Sequence, residues 1–209
     1  MVAGSTLVLS LLCLYGTAAI AEAGTSGSFK APAFCGKYKC PEYKVAMNYE
    51  TFELRVYEPA QWITTTVSKE KNSLEKLSSF RRLLEYMKGS NSENKMIEMT
   101  IPTVEYVPIN NPSVNETMSF YLPATLTNPP QPTDPKLFLT RSNKKSLYVK
   151  SFGGFAIEHE YIKQAKLLEK ELLQRGIPFV NSAIQRASYN YPSVRSNRHN
   201  EVWYLTKSN

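Results

Sequence analysis

The order strand, strand, helix, strand, strand is written twice along this chain, and the duplication limits the fold more than any single residue does. The first copy takes strands at Phe52 to Tyr57 and Trp62 to Ser68, a helix from Ser73 to Lys88, and strands at Met96 to Val107 and Thr117 to Leu122. The second takes strands at Leu137 to Arg141 and Ser146 to Phe152, a helix from Glu158 to Arg175, and strands at Ala183 to Tyr189 and Glu201 to Lys207. Phe52, Leu54 and Val56 alternate with Glu53, Arg55 and Tyr57, the period of a half-buried strand. Leu77, Phe80, Leu84 and Met87, and again Tyr161, Ala165, Leu168 and Leu172, recur at helical spacing and predict one apolar face on each helix. The helices begin 85 residues apart, far beyond a solenoid period, so the copies are expected to form one pseudo-symmetric domain in which each covers the other's apolar face. Pro123 to Pro135, with Asn128-Pro129-Pro130-Gln131-Pro132, can be neither helix nor central strand and joins the copies. Such a domain offers its seam to a ligand.

The first 21 residues carry no charged side chain, include the apolar run Leu7 to Tyr15, and end on Ala19-Ile20-Ala21, the pattern of a secretory signal peptide. A stretch of about 15 apolar residues interrupted by Gly16 and Thr17 is short for a membrane span, which needs about 20, so no membrane span is expected and the protein is read as secreted and extracellular. Cys35 and Cys40 then remain as an even pair in an oxidising compartment. A disulfide closing their short loop would contribute about 2 kcal/mol; free thiols or bonds to another chain are the alternatives. Asn115-Glu116-Thr117 is the single glycosylation sequon.

The net charge of +7 is unevenly placed: residues 1–135 hold 12 Lys and Arg against 13 acids, and residues 136–209 hold 13 against 5. That bias suits an anionic ligand. The basic residues are dispersed and no nucleic-acid motif accompanies them, so nucleic acid is not an expected partner. No Gly-x-Ser-x-Gly elbow, phosphate loop or metal-spaced His and Cys cluster occurs, and Asp134, the only aspartate, falls in the Pro-rich link. The pattern is that of a binding protein, monomeric, and not of an enzyme.

Phe52-Glu53-Leu54-Arg55-Val56-Tyr57-Glu58-Pro59-Ala60-Gln61-Trp62, Met99-Thr100-Ile101-Pro102-Thr103, Ser151-Phe152-Gly153-Gly154-Phe155 and Asn200-Glu201-Val202-Trp203 form an ordered set that resembles the SOUL haem-binding protein family over about residues 44–207. The resemblance implies an α+β fold, a distorted eight-stranded antiparallel β-barrel built from the two repeats and flanked by two helices. Residues 1–21 are then the signal peptide, 22–43 an N-terminal arm, and 44–209 the haem-binding domain. It also implies haem or a related porphyrin as ligand, not as catalytic cofactor; more generally, the partner is a tetrapyrrole or similar flat amphipathic anion.

In SOUL proteins themselves an iron-ligating histidine stands where this chain has Val56, and valine cannot coordinate a metal. In the other branch haem rests on an apolar patch of the first helix and a neighbouring strand, with basic side chains at the propionates. Phe80, Leu84 and Met118 match that patch. Leu77 and Glu85 replace two of its basic residues, which leaves Arg81 on the helix, and Arg195 and Arg198 in the loop before the last strand, as candidate cations. His159 and His199, the only histidines, could in principle ligate iron as axial ligands, but both sit in polar surroundings where a solvated imidazole is the ordinary state, and no metal is assigned to them. The alternative reading is an extracellular interaction protein that keeps the scaffold and has lost the ligand.

Overall fold

A computed structural model describes residues 29–68, 73–109, 111, 113–191 and 193–207. The leader read at residues 1–21 lies outside the described residues. In chain order the elements are β1 (Tyr43–Asn48), β2 (Glu53–Tyr57), β3 (Ala60–Val67), α1 (Ser73–Met87), β4 (Thr103–Pro108), β5 (Glu116–Leu122), β6 (Leu137–Ser142), β7 (Lys145–Gly153), α2 (Glu158–Gln174), β8 (Phe179–Ser188) and β9 (His199–Thr206). The repeated order of elements is therefore present. The expected strand from Met96 is shorter: β4 begins at Thr103, after Pro102, which has no N–H to give to a ladder.

All nine strands form one antiparallel sheet in the order β1-β2-β7-β9-β8-β4-β5-β3-β6. The central pair is β4 and β8, with Val104 opposite Ala187 and Glu105 opposite Arg186. Moving outward in both directions, the neighbours are β5 and β9, then β3 and β7, then β6 and β2. These are corresponding strands of the two copies, but the first strands are exchanged: β2 pairs with β7 of the second copy and β6 pairs with β3 of the first. Each half of the sheet is thus completed by the other repeat.

Only Glu58 and Pro59 separate β2 from β3, although these strands stand second and eighth in the sheet. A two-residue link can span that separation only if the sheet curls strongly. Tyr57, Trp62, Val104, Tyr121, Val149, Ala187 and Trp203, drawn from both halves, accordingly share one apolar cluster inside the curl. The other face of each half is covered by its helix. Ile63, Val67, Met118, Phe120 and Leu137 pack beneath α1, whereas Val107, Tyr148, Ile184, Val202 and Tyr204 pack beneath α2.

The expected eight-stranded barrel is corrected to an open nine-stranded sheet. The additional strand is β1, placed largely within the haem-binding domain as read from sequence but not anticipated as a strand; its Tyr43 pairs with Tyr57 and its Asn48 with Glu53. By taking the outer edge of β2, β1 occupies the position where β6 would have to bond for the ladder to close.

The α2 stripe of Tyr161, Ala165, Leu168 and Leu172 is buried as the spacing predicts, and the helix gives way at Gly176, which takes φ 64°. On α1 the buried face is rotated. Leu83, Tyr86 and Met87 are its buried apolar side chains, Phe80 and Leu84 are half-buried at the flank, and Leu77 is 42% exposed.

Ahead of β1, a single 3-10 turn (Ala33–Cys35) leads into the Cys35–Cys40 disulfide, with Cα atoms 6.3 Å apart. Both cysteines are buried against the inner cluster.

Candidate functional site

The half-exposed flank of α1 presents an apolar patch. Phe80 meets the edge of Phe120 with ring centroids 5.2 Å apart, and its other neighbour is Tyr191, at 6.4 Å. Leu84 packs on the same cluster, to which Met118 contributes a fully covered side chain from β5. The fold thus brings Phe80, Leu84 and Met118 together, and Tyr191 connects the patch to the loop before β9.

The candidate cations fare differently. Arg81 is exposed on α1 and Arg195 is exposed on that loop. Arg198 is turned inward: it donates to the carbonyls of Tyr191 at 3.0 Å, Val194 at 2.6 Å and Asn190 at 3.1 Å, and its guanidinium lies 4.8 Å from the centroid of Phe155. Its geometry is that of a clamp on the loop. Arg82 is likewise engaged, donating to Thr65 Oγ1 at 2.7 Å and lying 3.4 Å from Asp134.

His159 is exposed in the first turn of α2, away from the inner cluster. His199 is held in place: Nε2 lies 2.7 Å from Glu201 Oε1, the ring stacks on Phe34 at 3.8 Å, and Tyr189 meets it edge-on at 5.0 Å. Val56 is half-buried in β2, a strand that pairs with β1 and β7, whereas α1 packs over β3 and β5. The position of the missing family histidine is thus on another strand system from the Phe80 patch. Among the described residues no group of three or more His, Cys, Asp or Glu side chains is placed to hold a metal ion.

One constellation was not anticipated as a unit. Glu201 is completely buried, yet Arg55 Nη1 at 2.9 Å, the Tyr189 hydroxyl at 2.9 Å and the Trp203 indole N–H at 2.8 Å all donate to its carboxylate. Burial alone would raise its pKa, but the His199 hydrogen bond and the Arg55 charge together hold the carboxyl below the usual range. Burial also drives the Tyr189 and Tyr57 hydroxyls well above the ordinary tyrosine value, and the neighbouring Glu201 charge pushes in the same direction. The network is fully satisfied and walled in, with Phe34 of the arm stacked across His199 and set edge-on to Tyr189. It ties β2 and β9 to the residue that follows β8.

The family model for "SOUL heme-binding protein" matches residues 38–205. The chain belongs to the SOUL family. Its relatives include Heme-binding protein 2 of Homo sapiens, 30% identical over 162 residues that cover 76% of this chain and 79% of that protein. The same-named protein of Mus musculus is 27% identical over 90% of this chain and 92% of its own. Heme-binding protein 1 of Xenopus laevis is 31% identical over 74% of this chain and 83% of its own. The fold is also shared with the C-terminal domain of EcmrR, at a TM-score of 0.50 and 6% identity, over 80% of this chain and 99% of that one. An uncharacterized conserved protein from Listeria innocua superimposes with the same TM-score at 10% identity, over 84% of this chain and 96% of its own. The SOUL match begins at residue 38, so the arm from Phe29 through Cys35, with Phe34 on His199, precedes the matched segment.

Proposed function

We propose that this SOUL protein is a secreted, non-catalytic binder or carrier of haem or a related tetrapyrrole, taken up on the flank of α1. The observation that carries this reading is the half-exposed strip of Phe80 and Leu84 over the Met118 floor, with Tyr191 beside it, in a chain of a haem-binding family. A tetrapyrrole is a flat apolar plate with carboxylates along one edge. An apolar strip with cations at its margin is the complementary shape and charge. Arg81 and Arg195, both exposed, are the cations assigned to the carboxylates in this reading; Arg198 supports the loop that carries Arg195. Binding in this form needs no side-chain ligand to iron, in keeping with Val56 at the family's histidine position.

Secretion is supported by the uncharged leader and by a disulfide of the kind that persists in oxidising compartments. Asn115, exposed at the start of β5, is available for a glycan. The protein isolated from its natural source should carry a chromophore absorbing in the Soret region. Haemin titrated into the stripped protein should restore that band, and Phe80→Asp should weaken binding at least tenfold by placing a charge on the apolar strip. Haemin affinity unchanged by Phe80→Asp in a folded variant would remove the α1 flank as the site. No binding of haemin or protoporphyrin at all would favour an extracellular interaction protein on a retained scaffold.

A further inference from the structure

The interior of the curled sheet is walled at one end by the arm and the Glu201 network. Along β7, Ser151 bonds Glu201, while Lys145 lies six residues earlier, about 20 Å away at the rise of a strand. At the Lys145 end the interior opens into a cleft of about 150 Å³ lined by Trp62, Tyr106, Ser119, Thr140, Arg141 and Lys145, among others. Trp62, Ser119 and Thr140 alternate with Ile63, Phe120 and Leu139, which pack on the α1 side, so this cleft and the Phe80 patch lie on opposite faces of the sheet.

Three properties of the cleft point to a ligand. No carboxylate lines it, although two cations do. The Lys145 side chain is half-buried, and no hydrogen bond or ion pair ties its ammonium to a described residue; desolvation lowers the pKa of that ammonium and no opposing charge offsets the effect. The polar wall is already ordered: Thr64 ties the hydroxyls of Ser119 and Thr140 at 2.9 Å each, and Trp62 donates its indole N–H to Ser142 at 3.1 Å. A partly desolvated cation beside fixed hydroxyls and aromatic surface is a site for an anion that also carries an apolar body. A space of about 150 Å³ accommodates a benzene-sized ring and is far too small for a tetrapyrrole.

We propose that this cleft is a second binding site, for a single-ring aromatic carboxylate whose ring lies against Trp62 and Tyr106 and whose charge is met by Lys145, with Arg141 at the rim. The site is independent of the α1 patch.

The protein reports on the cleft itself, because it has two tryptophans, of which Trp203 is sealed in the core and Trp62 borders the cleft. The contact quencher 4-nitrobenzoate, with uncharged 4-nitrobenzamide as its partner probe, is titrated into the natural protein while tryptophan emission is followed. The expected result is saturable quenching by the carboxylate, with a dissociation constant on the order of 1 mM or tighter, and at least tenfold weaker quenching by the amide. Lys145→Met should abolish the distinction between the probes while retaining the thermal unfolding midpoint, and saturating 4-nitrobenzoate should leave haemin titrations unchanged. Equal behaviour of acid and amide in the natural protein overturns the proposal without recourse to any variant. Linear, unsaturable quenching, a folded Lys145→Met protein that still prefers the acid, or displacement of haemin by the acid would each do the same. The acid and amide comparison stands whether or not haemin binds.

Discussion

Glu201 keeps a charge in the middle of the protein because every group within reach donates to it, and Arg55, itself buried, supplies the opposite charge. Removing one member of such a pair leaves the other desolvated and unpaired, so Glu201→Gln should cost about 3 kcal/mol in denaturant unfolding at pH 7. Because the folded-state pKa of Glu201 is depressed, its stabilisation is complete above the unfolded value, near 4.3, and is lost as pH falls through the lower folded value. The wild-type protein should therefore lose stability steeply below about pH 4.3, and the Gln variant should lose less over the same interval. An identical acid slope in both proteins would mean that Glu201 does not carry the effect. The alternation around this residue was visible in the sequence: Val202 and Tyr204 are apolar on one face, Trp203 and Leu205 on the other. A glutamate in a strand buried on both faces requires a partner. What the sequence could not supply was the partner's identity, since Arg55 lies 146 positions away in the chain.

Among the elements, α2 was legible and α1 only in part. The predicted α2 stripe is the buried one, although Ile162, Leu167 and Leu173 stand directly beside it and are exposed. On α1, Leu77, Phe80, Leu83, Leu84 and Met87 form a broad apolar band, and the position of β3 and β5 decides which edge of it is buried. The edge left half-covered is the one that serves the proposed site. Strand β1 is an edge strand exposed over most of its length: Tyr43, Val45 and Met47 alternate with Lys44, Ala46 and Asn48, but Val45 and Met47 remain exposed, so the alternation marks no buried face. The family resemblance gives Arg198 the same standing as Arg81 and Arg195, whereas its three carbonyl partners make it a support for the loop. Replacing it separates the roles: Arg198→Ala should lower stability by about 1–3 kcal/mol, and Arg81→Ala with Arg195→Ala should leave stability nearly unchanged while weakening haemin binding in a salt-dependent way. Thermal unfolding and haemin titration at low and high salt check both. Reducing the Cys35–Cys40 bond should remove about 2 kcal/mol and loosen Phe34 from His199 without unfolding the domain.

For the molecule as a whole, the duplicated order of elements was enough to foresee two halves in one domain, and the exchange of β2 and β6 explains why neither half is complete alone. That exchange was not legible, because strand pairing across copies depends on a curl of the sheet that no local pattern encodes. Chains cut within the Pro123 to Pro135 link should accordingly fail to fold separately: the first fragment lacks the β6 neighbour of β3, and the second lacks the β2 neighbour of β7. A cooperative unfolding transition from either fragment would contradict this. The α1 patch belongs to the first copy, but the loop with Tyr191 and Arg195 belongs to the second, so the proposed site needs the assembled pair. The most direct measurement is the affinity of the intact protein for haemin against that for iron-free protoporphyrin. Recognition by an apolar strip and propionate-facing cations predicts the two constants within about tenfold, a gap of at most about 1.4 kcal/mol. Tight haemin binding with no protoporphyrin binding, the difference abolished by changing His159 or His199, would contradict it and place an axial histidine on the iron.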